Sequence, residues 1–491
     1  MFESAELGHR VSKAAYARRE PLLRASLLDA QLALGTQKRF PVLIVIGGVD
    51  GAGKGETVNL LNSWMDPRLI LTAAFAAPSD EERERPRMWR YWRALPPKGR
   101  IGILFGAWPT TPVLDRVARR IDSGEFEQQI AQICRFEQML TDEGVLLLKF
   151  WFHLSKRDQR ARLKALHADP VTRWRVTRED WQRLEQYDRF RKVSEQLVRR
   201  TSTAQAPWLV VEGLDAQYRG LTAGEALLGA MTRRLAAPDP VVPIRVPLAP
   251  AVIDRRNVLD ALVLDQPMSR TDYDAELERL QGRLNRLSRH SRFRARSAVV
   301  VFEGSDAAGK GGAIRRITAA LDARQYQAVP IAAPTEEERA QPYLWRFWRN
   351  LPRDGRFALF DRSWYGRVLV ERVEGYCSQA DWMRAYGEIN DFESELCAHG
   401  TIVVKFWLEI SKQEQLTRFR QREKVDFKKY KITREDWRNR RRWGDYRQAV
   451  CDMVDHTSTD VAPWTLVEAN NKQFARIKVL STLAAAIEKA L

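Results

Sequence analysis

Glu303-Gly304-Ser305-Asp306-Ala307-Ala308-Gly309-Lys310-Gly311-Gly312 follows the apolar, β-branched run Val299 to Phe302 and precedes a stretch able to form a helix. That is the strand–loop–helix context of a phosphate-binding P-loop. The glycines let backbone N–H groups converge on phosphate oxygens, and the lysine adds a positive charge. Taken alone, the spacing also describes a Gly-rich turn closing a strand. A second copy argues against that reading: Gly48-Val49-Asp50-Gly51-Ala52-Gly53-Lys54-Gly55 follows the run Val42 to Ile46.

The two loops are offset by 256 residues, and the offset holds along almost the whole chain. Lys310 maps to Lys54, Pro334 to Pro78, Trp345 and Trp348 to Trp89 and Trp92, Lys405 to Lys149, Trp437 to Trp181, and Pro463 to Pro207. A period this long means tandem globular domains, and 491 residues accommodate two. Prolines at 238, 240, 243, 247 and 250 mark an extended connection. The expected division is therefore an N-terminal domain at 1–237, a linker at 238–252 and a C-terminal domain at 253–491. In the second half, strands are expected at Ala298–Glu303, Arg356–Asp361, Thr401–Leu408 and Trp464–Glu468, with a leader helix over Asp272 to His290. Alternation with amphipathic stretches predicts an α/β fold with an open parallel sheet flanked by helices. Ligands then sit at the carboxyl ends of the strands.

The chain carries 81 Lys+Arg against 63 Asp+Glu, a formal charge of +18. Such a field favours an anionic partner. Trp345-Arg346-Phe347-Trp348-Arg349 reads either as a base-stacking platform or as a helix with an aromatic core face. Cys134, Cys377, Cys397 and Cys451 show neither C-x-x-C spacing nor a histidine cluster, which argues against a zinc site or disulfide framework. No secretory or membrane-spanning segment is read, so no membrane partner and a cytoplasmic location are expected.

The loop lacks the Ser/Thr that ligates Mg²⁺ in an ordinary Walker A; Gly311 stands there, as does Gly55 in the first half. Both loops instead carry an internal carboxylate, Asp306 and Asp50. Asp306 is a candidate metal ligand or acceptor-positioning group; its local alternative is an Asx-type bond shaping the loop. The strand ending in Asp361-Arg362 supplies a Walker B-like acid and an arginine suited to bidentate phosphate contact. Arg418 and Arg422, four apart in a basic segment, read as one face of a cationic lid or as a solvated helix face. At the 256 offset, Asp361-Arg362 becomes Phe105-Gly106 and Arg422 becomes Leu166. The first half thus keeps a phosphate cradle, structural or polyanion-holding, without the acid and arginine that catalysis needs.

These residues, together with Pro334-Thr335-Glu336-Glu337-Glu338, Asp361-Arg362-Ser363-Trp364-Tyr365-Gly366-Arg367 and Thr433-Arg434-Glu435-Asp436-Trp437, resemble the polyphosphate kinase type 2 family across both halves. The tandem arrangement resembles the two-domain subgroup that uses polyphosphate to phosphorylate AMP. The resemblance implies two P-loop kinase-like domains close to thymidylate kinase, each with a helical lid. It implies Mg²⁺, inorganic polyphosphate as donor, AMP as acceptor and ADP as product. Carried onto this sequence, Gly304, Ala308, Gly309, Lys310, Gly311 and Gly312 hold phosphates, and Asp306 and Asp361 organise the metal. Arg362, Arg418 and Arg422 are catalytic, and Arg367 and Glu371 belong to the nucleotide side. Alternatives are polyphosphate-dependent ADP phosphorylation, an ATP-dependent nucleoside-monophosphate kinase and, outside enzymes, a nucleic-acid-binding protein. No specific nucleic acid is expected as a partner; homo-oligomerisation stays open.

Overall fold

The computed structural model describes residues 1–239, 242, 244 and 257–491. The proline-rich stretch expected as a linker at 238–252 lies almost wholly outside the described residues. Two compact units divide the chain, one of Met1–Pro78, Arg90–Val241 and Thr335–Trp345, the other of Ser79–Trp89, Val242–Pro334 and Arg346–Leu491. Each unit thus contains, besides its own half of the chain, a short segment from the other half. Within the C-terminal unit, residues 79–89 are held by an ion pair of Glu84 with Arg353 at 2.5 Å and by Arg85 Nε donating to Leu351 O at 3.1 Å. Within the N-terminal unit, residues 335–345 are held by Lys98 N donating to Ala340 O at 2.8 Å and Gln341 Nε2 to Leu95 O at 3.2 Å. Both segments open on a capping box, at Ser79 and Thr335, so each is a short helix independent of its flanks.

The N-terminal unit carries strands β1 (Val42–Gly48), β2 (Ile70–Ala74), β3 (Ile101–Phe105), β4 (Leu146–His153) and β5 (Trp208–Glu212). The C-terminal unit carries β6 (Ala298–Gly304), β7 (Tyr326–Pro330), β8 (Phe357–Asp361), β9 (Ile402–Glu409) and β10 (Trp464–Glu468). Both sheets are parallel and share one topology, β2-β3-β1-β4-β5 and, listed from the other edge, β10-β9-β6-β8-β7. Central β6 is covered on both faces, so its run Ala298 to Phe302 is fully buried. Strand β7 was not read from sequence. It lies at the edge, buries only Val329 and ends in proline, which an edge strand tolerates.

Helices cover the sheet as expected. The leader spans Arg270–Ser288, and its Leu280 and Leu284 pack with Val479, Leu483 and Ile487 of the final helix Lys472–Ala490. Each such side chain, removed from water, contributes about 1.5–3 kcal/mol. The Arg–Trp segment is core: Trp345, Phe347 and Trp348 are buried, and Trp348 meets Phe392 edge-on at 5.0 Å. Those rings offer no exposed stacking platform. Among the described residues no helix is long and apolar enough to cross a membrane.

Candidate active site

Register brings the two acids together. Phe302 pairs with Asp361, so β8 delivers its terminal carboxylate beside the loop that leaves β6. A Cβ on Gly311 would lie 3.8 Å from Asp361 Oδ2, which fixes the carboxylate over the start of helix Lys310–Thr318. That helix start presents unpaired backbone N–H groups and the positive end of a helix dipole. Lys310 Nζ donates to Gly304 O at 2.6 Å, folded into the loop it would extend across phosphates.

Arg362 sits at φ +65°, a left-handed conformation that costs a residue with a Cβ about 1–3 kcal/mol. Its counterpart Gly106 has φ +69°. The backbone demands this turn in both units; the C-terminal unit accepts the strain to aim a guanidinium. Arg362 Nη2 donates to Asp306 Oδ1 at 3.2 Å, and Asn439 Nδ2 donates to Asp306 Oδ2 at 2.8 Å. Burial works against the Arg362 charge, but Asp306, Glu303 and Asp361 more than offset it and hold its pKa up.

Two cavities meet at this pair. The larger is a basic basin lined by residues 306–313, Arg315, Asp361, Arg362, Arg418, Arg422, Lys424, Lys472 and Arg476. Among the described residues Arg315, Arg422, Lys424, Lys472 and Arg476 have no carboxylate partner. Burial and the neighbouring Arg418, Arg476 and Arg422 press the Lys472 ammonium below its ordinary pKa. Concentrated, uncompensated positive charge is the environment that a polyanion relieves. The second cavity is apolar. Leu259, Leu369, Val370, Trp407, Trp443, Tyr446 and Val450 wall it, with Glu303 and Glu409 as buried acids. Asp306 and Arg362 line both cavities.

Among the described residues no three His, Cys, Asp or Glu form a metal cluster. Asp361 faces the basin with no ion pair or side-chain hydrogen bond of its own among the described residues. One or two carboxylates, completed by phosphate and water, suit Mg²⁺. Asp361 and Asp306 therefore fit that ion, whereas a site built wholly from protein ligands does not.

Three expected groups have side-chain settings of their own. Arg418, in helix Lys412–Glu423, borders the basin with its guanidinium taken up by backbone carbonyls. Its Nη1 donates to Ala307 O and Ala308 O, each at 2.9 Å, and its Nη2 to Ala469 O and Asn470 O at 2.6 and 2.8 Å. Nε is paired with Glu414 at 2.6 Å, so Arg418 is a clamp beneath the loop. Arg422 does line the basin. Arg367 and Glu371 pair with each other at 3.1 Å and border neither cavity.

In the N-terminal loop the charged groups are paired with one another. Glu56, where the other unit has Gly312, takes Arg162 at 2.9 Å and Arg219 at 2.6 Å. Arg219 lies across Gly53, where an added Cβ would meet its guanidinium at 2.1 Å. Lys54 donates to Gly48 O at 2.6 Å and pairs with Asp50 at 3.2 Å, and Asp50 also takes Arg183. The loop's cations are neutralised by its own carboxylates.

The family model described as polyphosphate kinase 2 matches residues 10–237 and 267–491. The polyphosphate:AMP phosphotransferase of Pseudomonas aeruginosa is 58% identical over 492 residues, covering 100% of this chain and 99% of the relative. That of Acinetobacter johnsonii is 37% identical, covering 94% and 95%. A solved chain from Pseudomonas aeruginosa described as a polyphosphate kinase 2 superposes with a TM-score of 0.91 at 56% identity, covering 100% of this chain and 99% of that one.

Proposed function

Because the chain belongs to the polyphosphate kinase 2 family in both of its halves, we propose that its C-terminal unit transfers a phosphoryl group from inorganic polyphosphate to AMP, giving ADP. The observation that carries this reading is that a basic basin and an apolar pocket share Asp306 and Arg362. A donor with no bases needs charge alone, which the basin offers. An acceptor nucleotide needs an apolar pocket for its base and a cationic end for its phosphate. The reacting phosphoryl group then lies at the shared pair.

This chain's residues act by positioning and charge. Loop amides and Lys310 hold the donor phosphates, Arg422 and Arg476 neutralise the chain, and Arg362 spans both substrates where charge builds up. Asp306 holds Arg362 and, with Asp361, is the donor set for Mg²⁺. When bound, that ion would neutralise phosphate oxygens. No covalent enzyme intermediate is required. Arg418 keeps the loop in shape. The same reading puts the protein in the cytoplasm, where its nucleotide substrate is formed and its four free cysteines stay reduced.

The test is product analysis with Mg²⁺, long-chain polyphosphate and AMP, ADP or GMP offered separately. ADP from AMP, dependent on polyphosphate and lost in Lys310→Ala, is expected. ATP formed only from ADP would replace the acceptor. Turnover only with ATP as donor would replace polyphosphate.

A further inference from the structure

The apolar pocket contains a buried acid that the phosphoryl-transfer chemistry does not use. Glu409 closes β9, 4% exposed and facing the cavity. Trp407 lies two residues earlier, on the same face of the strand. Its indole Nε1 donates to Glu409 Oε2 at 2.7 Å, and Oε1 has no hydrogen-bond partner among the described residues.

The N-terminal unit shows what such a pocket holds. At the 256 offset, Trp407 and Glu409 become Trp151 and His153. Phe2, fully buried, stacks on both: its ring lies 4.6 Å from His153 at 12° and 5.8 Å from Trp151 at 17°. The N-terminal unit therefore fills its pocket with its own planar ring. The leader helices are capped by Ser12 and Ser269, an offset of 257, so the C-terminal residue matching Phe2 is Leu259, which lines the cavity and has no ring to stack.

Resting on the reading of this pocket as the acceptor site, we infer that the nucleobase of the acceptor stacks on Trp407 and that Glu409, as a neutral carboxylic acid, reads adenine. The indole N–H fixes Oε2 as an acceptor and leaves the acid proton on Oε1. Oε1–H then donates to adenine N1, and Oε2 accepts from the 6-amino group. Guanine presents an N1–H and a 2-amino group, two donors, and suits only the carboxylate. The acid's protonation state thus sets base choice, and no proton is transferred.

The surroundings favour the neutral form. Burial raises the Glu409 carboxyl to about 7, against the opposing Trp407 hydrogen bond and the more distant charge of Arg447. Arg447 is itself paired with Asp260. Across the sheet, Glu468 stands opposite Glu409 in register with its carboxylate held by Lys478, and Glu303 lines the same cavity. Among the described residues no cation is bonded to Glu409 itself.

The experiment measures kcat/KM of the full chain with polyphosphate for AMP, GMP and purine riboside 5′-monophosphate, which lacks the 6-amino group, between pH 6 and 8.5. Wild type should prefer AMP, and the preference should fall as pH rises through about 7, with purine riboside monophosphate poorer than AMP. Glu409→Ala should reduce the AMP-over-GMP ratio by about tenfold or more, the scale of one bidentate base contact. Glu409→Gln, an amide isostere of the neutral acid, should keep the AMP preference and remove its pH dependence. An unchanged ratio in Glu409→Ala, or an AMP preference in wild type that does not move with pH, overturns the inference and leaves the proposed function standing. Absence of any polyphosphate-dependent product in wild type overturns the pocket assignment and this inference together.

Discussion

Replacing either P-loop lysine by alanine removes the same chemical group from the same local fold, so the pair measures the asymmetry between units. Lys310 stands at the mouth of a basin in which, among the described residues, it and five other cations have no carboxylate partner. On the proposed reading its ammonium leaves Gly304 O to hold donor phosphate as charge develops during transfer. Loss of one such donor lowers kcat by about 10²–10³, some 3–4 kcal/mol. Lys54 lies 3.2 Å from Asp50, which keeps Arg183 as a second partner at the same distance. Asp50 is partly exposed. Removing Lys54 therefore costs about 0–1 kcal/mol of local stability and no transition-state contact. We expect Lys310→Ala to lose at least about a hundredfold in kcat and Lys54→Ala to stay near wild type. The assay is chromatographic ADP formation from AMP at saturating polyphosphate, with unfolding midpoints recorded for both variants. Comparable losses in the two, with both folded, would refute the assignment of catalysis to the C-terminal unit.

Arg418→Ala should uncover four backbone carbonyls under the loop, destabilise the C-terminal unit by about 3–5 kcal/mol, and raise the KM for polyphosphate. Arg418→Lys should not restore it, because one ammonium cannot serve both carbonyl pairs. Lys405 and Glu393 are fully buried at 2.7 Å, and Lys405 also donates to Thr457 O and Tyr365 OH. Lys405→Met should cost about 3–5 kcal/mol by leaving a buried carboxylate, and adding Glu393→Leu should recover most of it; denaturant midpoints check both. Glu409 holds its proton up to about pH 7 when folded, against a reference value of 4.5. The folded state binds more protons between these values, so wild-type stability falls across that window by about 3 kcal/mol as pH rises. Glu409→Gln should abolish that share of the pH dependence, read from denaturant titrations at pH 5 and 8.

The sequence made the loop, the repeat and the central strands legible because each is local and strongly patterned. Edge strand β7 escaped because half-exposed Tyr326–Pro330 has neither alternation nor an apolar run. The basin was only partly legible. Arg422 belongs to the basic segment that was read, but Lys472 and Arg476 come from the last helix and enter only when the sheet folds them beside the loop. Charge pattern could not separate Arg418 from Arg422, because four backbone carbonyls rather than side chains claim the former. The strain at Arg362 did leave a trace. Glycine at the aligned position, Gly106, marks a turn that needs positive φ, so an arginine there must be held for its head group.

With catalysis assigned, as proposed, to the C-terminal unit, the same comparison explains how the other copy keeps the fold without the chemistry. Where the C-terminal unit presents groups to ligands, the N-terminal unit presents them to itself. Phe2 stacks where we infer that a base stacks, and Glu56 supplies a carboxylate where a phosphate would sit. Arg219, at the position of Ala475, closes over that carboxylate. The buried triad that supports the sheet is meanwhile retained. Lys149 meets Glu137 at 2.5 Å and Thr201 O at 2.6 Å, as Lys405 meets Glu393 and Thr457 O, each at 2.7 Å. A polar network in the core cannot lose one member without stranding a charge, whereas a ligand site can lose its ligand by acquiring an internal one. Filling the site also removes the cost of uncompensated cations. The N-terminal unit therefore keeps the interactions its fold requires and satisfies internally those that the C-terminal unit leaves for substrates.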